Sequence, residues 1–356
     1  MVVASLNSGG TERVAATIAN YWSEKNVNVV IVLLNYGQGI FYKICPDITI
    51  ERLSYCKSNK YLIQVLEFFS TIFKLRKLLC RHEVDVLVSF LPHVNIISIL
   101  AALGIRCRVV VSERNDLENQ QLSVLWKVMR RLTYRLAEAV TVNNRRNVSI
   151  LERFVPSKRI HLLPNPINLP ESNISRSEDV RRILAVGRFS KQKGFDVLIE
   201  ACRHMKCLND GWVVEIVGKG EEEENLREHI RRYRLTDSVF LREVTESIWE
   251  RYINSTILVV PSRYEGMPNV LLEGMALGIP PIVTDQVGDL SIALAEVCKW
   301  IVVPIDSVEE LAVAIDRLAY NPEEQLRISH EIVKVAVPFK LDHAIISWNS
   351  VAGLNL

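Results

Sequence analysis

Along the chain, short unbroken apolar runs alternate with longer stretches in which apolar residues recur every three or four positions. An unbroken run bounded by turn residues predicts a strand buried on both faces, and the wider spacing predicts a helix that covers it. In the first half the runs fall at 2–6, 28–34, 48–53, 84–90 and 108–112, up to Val142, and at 159–163. Helical stretches separate them: Val14, Ile18 and Trp22 at four-residue spacing, then 61–82, a stretch up to Leu103, 120–136 and 145–154. Pro164, Pro166 and Pro170, followed by the polar ESNISRSED, read as a linker. The pattern then restarts. Strands are expected at 183–186, 212–217, 238–241, 257–260, 281–284 and 301–303, with helices at 194–205, 223–233, 248–253, 309–319 and 322–336. This alternation predicts an α/β protein with two doubly wound parallel sheets, one in residues 1–168 and one in 178–338. The tail 339–356 has its own apolar spacing at Ile345, Trp348 and Val351, and is expected to pack back on the first domain.

Composition supports two packed cores: the chain has 356 residues, of which 49% are hydrophobic. Its net charge of +2 conceals an asymmetry. Residues 1–168 hold 22 Lys and Arg against 12 Asp and Glu, a net of +10, and the remainder 21 against 29, a net of −8. A basic first half points to an anionic ligand or surface there, against the plainer reading of solvated helix faces. The seven cysteines show no metal-ligand or redox spacing and read as reduced core residues of a cytosolic protein. No basic segment with an apolar core and cleavage site opens the sequence, so no secretory signal is expected. The apolar stretch 86–105 contains Pro92, His93 and Asn95, and reads as a strand followed by a buried helix instead of a membrane span.

The densest chemistry lies in PSRYEGMPNVLLEGMALGIPPIVTD, residues 261–285. A buried strand ends at Pro261, Pro268 suits the first turn of a helix, and Gly278 stops it. Such a helix offers free backbone donors and a partial positive charge at the sheet's carboxyl edge, with Glu265 in the loop and Glu273 inside the helix. Asn269 stands one turn before Glu273, on the same face. Earlier in the same half, VGRFSKQKGF places Arg188 and Lys193 just past a strand, where two cations could neutralise a departing diphosphate; surface solvation is the plainer alternative. VGKGE again ends a strand with glycine, and Gly218 there would let a nucleoside or phosphate approach the backbone. It is not a dinucleotide fingerprint, because Glu221–Glu223 stand where a third glycine is needed. Gly9 and Gly10 open the first helix and would serve a ligand or merely a tight turn.

GRFSKQKG, the VGKGE turn and above all EGMPNVLLE, with LNSGGTERV near the start, resemble the retaining glycosyltransferases of family 4. The resemblance implies the GT-B fold, two Rossmann-like domains facing each other across a cleft, with the acceptor bound by residues 1–168 and a nucleotide sugar by 178–338. It implies that Glu273 holds the ribose hydroxyls and that Arg188 and Lys193 neutralise the leaving diphosphate. Glu265 with the backbone of Gly266, Met267 and Pro268 would hold the donor sugar, and Asn269 and Val270 would donate to phosphate. The glutamates are then not the acid and nucleophile of a glycoside hydrolase. No metal and no cofactor is expected, since the sequence has no Asp-x-Asp and the cations can do a metal's work.

Three departures stand out. Many relatives have a histidine where SERND places Arg114, which would replace it as a donor-sugar contact or be a structural arginine bound to Glu113 or Asp116. Arg242 stands where relatives tend to have glycine, near the expected base pocket. The first strand is shorter than the family's, as if a few residues preceded it.

FFSTIFKLRKLL at 68–79 and WKVMRRLTYRL at 126–136 mix aromatics with Lys and Arg at helical spacing, as a helix resting on an anionic membrane does, although ordinary amphipathic packing gives the same pattern. LNSGGTERV, the Phe41 region and SERND are most similar to bacterial enzymes that extend polyprenyl-diphosphate-linked oligosaccharides. The expectation is a cytoplasmic, peripheral membrane transferase moving a hexose or N-acetylhexosamine, N-acetylgalactosamine among them, from a UDP-sugar to a lipid-linked glycan in surface polysaccharide or O-antigen assembly, with no nucleic-acid partner. A UDP-sugar epimerase or hydrolase of the same fold and a non-catalytic nucleotide-sugar-binding protein are the alternatives.

Overall fold

The computed structural model describes residues 1–34, 39–53, 61–120, 122–169, 180–244 and 248–356, with backbone only at 61–63. The chain divides into two compact units, one made of Met1–Pro166 with Leu341–Leu356, the other of Ile167–Lys340. The polar linker sequence ESNISRSED lies outside the described residues.

The first unit runs β1 (Val2–Val3), α1 (Gly10–Glu24), β2 (Val30–Leu33), β3 (Thr49–Arg52), α2 (Tyr61–Arg81), β4 (Val86–Phe90), α3 (Pro92–Ala102), β5 (Arg108–Ser112), α4 (Val124–Thr133), β6 (Ala139–Val142), α5 (Arg145–Leu151) and β7 (Ile160–Leu162). Its seven strands form one parallel sheet in the order β3-β2-β1-β4-β5-β6-β7. The second unit runs β8 (Arg182–Val186), α6 (Phe195–Ala201), β9 (Val213–Val217), α7 (Glu223–Arg232), β10 (Val239–Arg242), α8 (Ile248–Ile253), β11 (Ile257–Val260), α9 (Asn269–Ala276), β12 (Pro281–Thr284), α10 (Asp289–Val297), β13 (Val302–Val303), α11 (Val308–Ala319) and α12 (Pro322–Ala336). Its six strands are also parallel, in the order β10-β9-β8-β11-β12-β13. Both doubly wound sheets expected from the apolar pattern are therefore present.

The last helix, α13 (Leu341–Ala352), belongs to the first unit. Its apolar face buries Ile345, Trp348 and Val351. Polar contacts fix its position: Trp348 Nε1 donates to the Pro164 carbonyl at 3.1 Å, Trp22 Nε1 to Asn349 Oδ1 at 2.7 Å, and Arg108 Nε to the Val351 carbonyl at 2.8 Å.

Two elements differ from expectation. α10 was not anticipated; DLSIALAEV is apolar nearly all round and lacks a side-chain cap, so its period is weak. The helix expected over 120–136 begins only at Val124 and ends in a 3₁₀ turn, Tyr134–Leu136. Its orientation is also unusual. α4 buries Arg130 and Thr133 and turns Val124, Leu125, Val128 and Leu132 outward. Trp126 meets Phe68 of α2 edge-on at 5.8 Å, and α2 in turn exposes Leu66, Phe69 and Phe73. Two neighbouring helices of the basic unit thus present apolar side chains to solvent, beside Lys74, Lys77, Lys127 and Arg131.

Candidate active site

Each sheet reverses its strand order once, between β1 and β4 in the first unit and between β8 and β11 in the second. Helices leaving two such adjacent strands depart to opposite faces, and the crevice left at the carboxyl edge is where open α/β sheets bind ligands. This topology joins residues 72 positions apart. β8 pairs with β11, Ile183 against Ile257, so the loop carrying Arg188 and Lys193 lies beside the loop carrying Glu265. Lys193 Nζ forms an ion pair with Glu265 Oε1, and Ser262 Oγ donates to the same oxygen at 3.0 Å. Gly194 makes this approach possible. It has φ +65°, and a Cβ there would stand 2.0 Å from the Pro261 carbonyl oxygen, so only glycine fits. Arg188 is different: it is exposed, and its side chain makes no hydrogen bond or ion pair to any described residue.

Glu273 is buried one turn into α9, and the fully buried Tyr252 directs its hydroxyl to Glu273 Oε2 at 2.9 Å and to the Val270 carbonyl at 3.3 Å. Pro268 caps α9 from just outside the helix instead of lying in its first turn, and Asn269 and Val270 open the helix. The Gly266 backbone is packed against Gly288, where a Cβ would come within 2.3 Å of the Gly266 oxygen, and the Glu265 amide donates to the Gln286 carbonyl at 2.9 Å. Met267, next in this loop, is half-buried. The sequence reading missed Tyr252, Gln192 and Arg263. A buried tyrosine needs a partner for its hydroxyl, but nothing local marks Tyr252 as buried.

Gly218 proves to be needed for packing. A Cβ there would lie 1.9 Å from the Gly187 carbonyl oxygen and 2.7 Å from the Phe189 ring, so it seats the loop that holds Arg188. Arg242 turns to Glu215 at 3.2 Å beside Arg182 and Arg251.

In the first unit, Gly10 begins α1, and the Gly9 carbonyl accepts from the Tyr42 hydroxyl at 2.8 Å. A Cβ on Gly9 would strike the Glu12 carboxylate at 2.2 Å. Arg114 has been drawn inside. Its Nε donates to Ser112 Oγ at 2.7 Å, one terminal nitrogen to the Leu163 carbonyl at 2.9 Å and Asn165 Oδ1 at 3.1 Å, and the other to Thr141 Oγ1 at 3.0 Å. The guanidinium also lies 4.6 Å from the centre of the Trp348 ring. Four donors are thereby consumed in joining β5, β6 and the chain after β7, and the ring contact adds α13. Of the two readings of Arg114, donor-sugar contact or structural arginine, its burial and inward bonds favour the second, with partners other than the Glu113 and Asp116 anticipated from sequence. Glu113 beside it is fully buried, accepts from the Tyr134 hydroxyl, and has its carboxyl pushed up to about 7 by burial, against the opposing pull of Arg130, Tyr134 and Arg114. Burial also lowers the Arg114 guanidinium to about 9, with Glu113 opposing.

Residues 8–171 match the model of Glycosyltransferase Family 4, and residues 170–334 that of Glycosyl transferases group 1. The matches run end to end through two parallel-sheet units, and the chain belongs to the glycosyltransferases of the GT-B fold. It is 26% identical over 352 residues to an uncharacterized glycosyltransferase of Haemophilus influenzae, covering 97% of this chain and 96% of that one. It is 29% identical over 277 residues, 77% of this chain and 75% of the other, to a Campylobacter jejuni enzyme. That enzyme is the GalNAc-alpha-(1->4)-GalNAc-alpha-(1->3)-diNAcBac-PP-undecaprenol alpha-1,4-N-acetyl-D-galactosaminyltransferase. Among solved structures, sucrose-phosphate synthase from Thermosynechococcus elongatus superposes with a TM-score of 0.83 at 16% identity, covering 98% of this chain and 97% of that one. Anabaena Alr3699/HepE in complex with UDP gives 0.78 at 15%, covering 99% and 98%. These two establish likeness of fold.

Proposed function

We propose that this glycosyltransferase moves a hexose or N-acetylhexosamine, with retention, from a UDP-sugar to a polyprenyl-diphosphate-linked glycan in bacterial surface-glycan assembly. The observation that carries the reading is the placing of Arg188, Lys193 and Glu265 on the loops after the adjacent strands β8 and β11, with Glu273 in the helix α9 that follows the second loop. Arg188 and Lys193 neutralise the diphosphate as the bond from the anomeric carbon to its oxygen breaks. Glu265 and the Gly266–Pro268 backbone hold sugar hydroxyls, and Glu273, oriented by Tyr252, holds the ribose. The acceptor oxygen bonds the anomeric carbon on the face the phosphate leaves, and its proton passes to the departing phosphate. With two cations in place, no step calls for a metal ion.

The acceptor side rests on the first unit. Its net positive charge and the exposed apolar faces of α2 and α4 suit an anionic bilayer, where basic side chains and inserted aromatics act together. Among the described residues no helix is long and apolar enough to cross a membrane. The name of the Campylobacter jejuni relative, an enzyme acting on an undecaprenol-linked glycan, supports the same acceptor class.

The test is transfer by purified protein from a panel of UDP- and GDP-sugars to a polyprenyl-diphosphate disaccharide, with and without EDTA and anionic vesicles. Retained anomeric configuration, indifference to EDTA and co-sedimentation with vesicles are the expected results. Free UDP with no acceptor product would replace the transferase reading by hydrolysis or epimerisation, and strict dependence on magnesium would overturn the metal-free step.

A further inference from the structure

The Lys193–Glu265 pair bridges two loops that share no covalent neighbour, and one side chain outside the pair ties those loops together. Arg263 sits two residues before Glu265 and is half-buried. It forms a bidentate pair with Asp196 in the first turn of α6, at 3.0 and 2.7 Å. The nitrogen at 3.0 Å also donates to the Lys191 carbonyl at 2.5 Å, and Nε donates to Asp306 Oδ1 at 2.8 Å. Four donors of one guanidinium therefore reach three segments: the turn that carries Lys193, the helix that follows it, and the loop after β13. The backbone repeats the connection. The Arg263 amide donates to the Gln192 carbonyl at 2.8 Å, and Gln192 Nε2 donates to the Tyr264 carbonyl at 2.9 Å. Asp306 holds a left-handed conformation, φ +56°, a mild backbone cost consistent with a residue kept in place by its partner.

We propose that Arg263 is a positioning residue for glycosyl transfer, a brace that fixes the Lys193 turn against the Glu265 loop so that the cation and the carboxylate meet the donor already spaced. The proposal rests on the roles given above to Lys193 and Glu265. A fixed fork suits the task better than a flexible ammonium, because a planar guanidinium specifies direction as well as distance. Misplacing a reacting group by an ångström costs on the order of 100-fold in rate, whereas ground-state binding through ribose and base contacts is little affected.

The experiment compares Arg263→Ala, Arg263→Lys, Lys193→Ala and the double variant Arg263→Ala/Lys193→Ala in the full chain. It follows UDP affinity by calorimetry, melting temperature, and kcat and KM for UDP-N-acetylgalactosamine with a polyprenyl-diphosphate disaccharide. Arg263→Ala should lower kcat by about 30-fold or more while UDP affinity moves less than about 3-fold. Arg263→Lys should recover only a minor part of the loss. In the Lys193→Ala background the Arg263 substitution should cost clearly less than in the wild type, since the cation whose spacing from Glu265 the brace sets is then gone. Losses that multiply, a full rescue by lysine, or a rate loss that only follows the unfolded fraction would each overturn the brace. Failure of the underlying reading looks different: the wild type would not bind UDP, or Lys193→Ala alone would retain the wild-type rate.

Discussion

Two arginines occupy comparable places in the two units and have opposite fates. Arg114 follows β5, next to the strand reversal of the first sheet, and Arg188 follows β8 at the reversal of the second. Arg114 is spent on the fold, with four hydrogen bonds and a tryptophan face, and its neighbour Glu113 is a buried carboxyl. Arg188 is exposed at a carboxyl edge where Lys193 and Glu265 are already paired with each other. A cation at a loop after a strand is thus a binding group or a structural one according to what the surrounding chain offers its donors. In the first unit the hydroxyls of Ser112 and Thr141 and the segment after β7 accept from Arg114, and α13 adds the face of Trp348.

The comparison breaks first on paired substitutions. Arg114→Ala should destabilise the protein by about 3–5 kcal/mol, because it strands buried acceptors and removes one of the two cations beside Glu113. Arg188→Ala should leave the unfolding free energy within about 0.5 kcal/mol yet lower the transfer rate by about 100- to 1,000-fold. Equal stability losses in thermal or urea unfolding would remove the distinction. A smaller effect is expected at Glu273, where Glu273→Gln, retaining the Tyr252 contact, should weaken UDP binding by about 10-fold through loss of a charged acceptor for the ribose. Unchanged calorimetric affinity would move the ribose elsewhere.

A further test concerns pH. The Glu113 carboxyl is raised from 4.5 to about 7, so its contribution to stability is complete below about pH 4.5 and is lost as pH rises through 7. Relative to Glu113→Gln, the wild type should lose about 2–3 kcal/mol of unfolding free energy between pH 4.5 and 8. A pH-independent difference would mean that Glu113 stays ionised in the fold, paired with Arg114 or Arg130.

The same contrast separates what was legible along the chain from what was not. Strand runs such as 257–260 declared themselves because a parallel sheet covered on both faces needs continuous apolar residues. The motif glutamates and cations at 188, 193, 265 and 273 could be picked out, since glycines and prolines punctuate the loops that carry them. The helix α10 could not, because an all-round apolar segment has no period to read. For α4 the mixture of aromatics with Lys and Arg left a membrane-facing helix and ordinary packing both open, and the exposure of Val124 and Leu132 with the burial of Arg130 came only from the structure.

By itself the sequence determined the alternation that builds two parallel sheets, the loops that bear charge, and the family to which they belong. Only the tertiary structure decided which of those charges are available. Hydrogen bonding to a guanidinium is settled by long-range neighbours: Leu163 and Thr141 for Arg114, Asp196 and Asp306 for Arg263. Such partners come from strand order and loop closure, which the local pattern of apolar and polar residues does not encode.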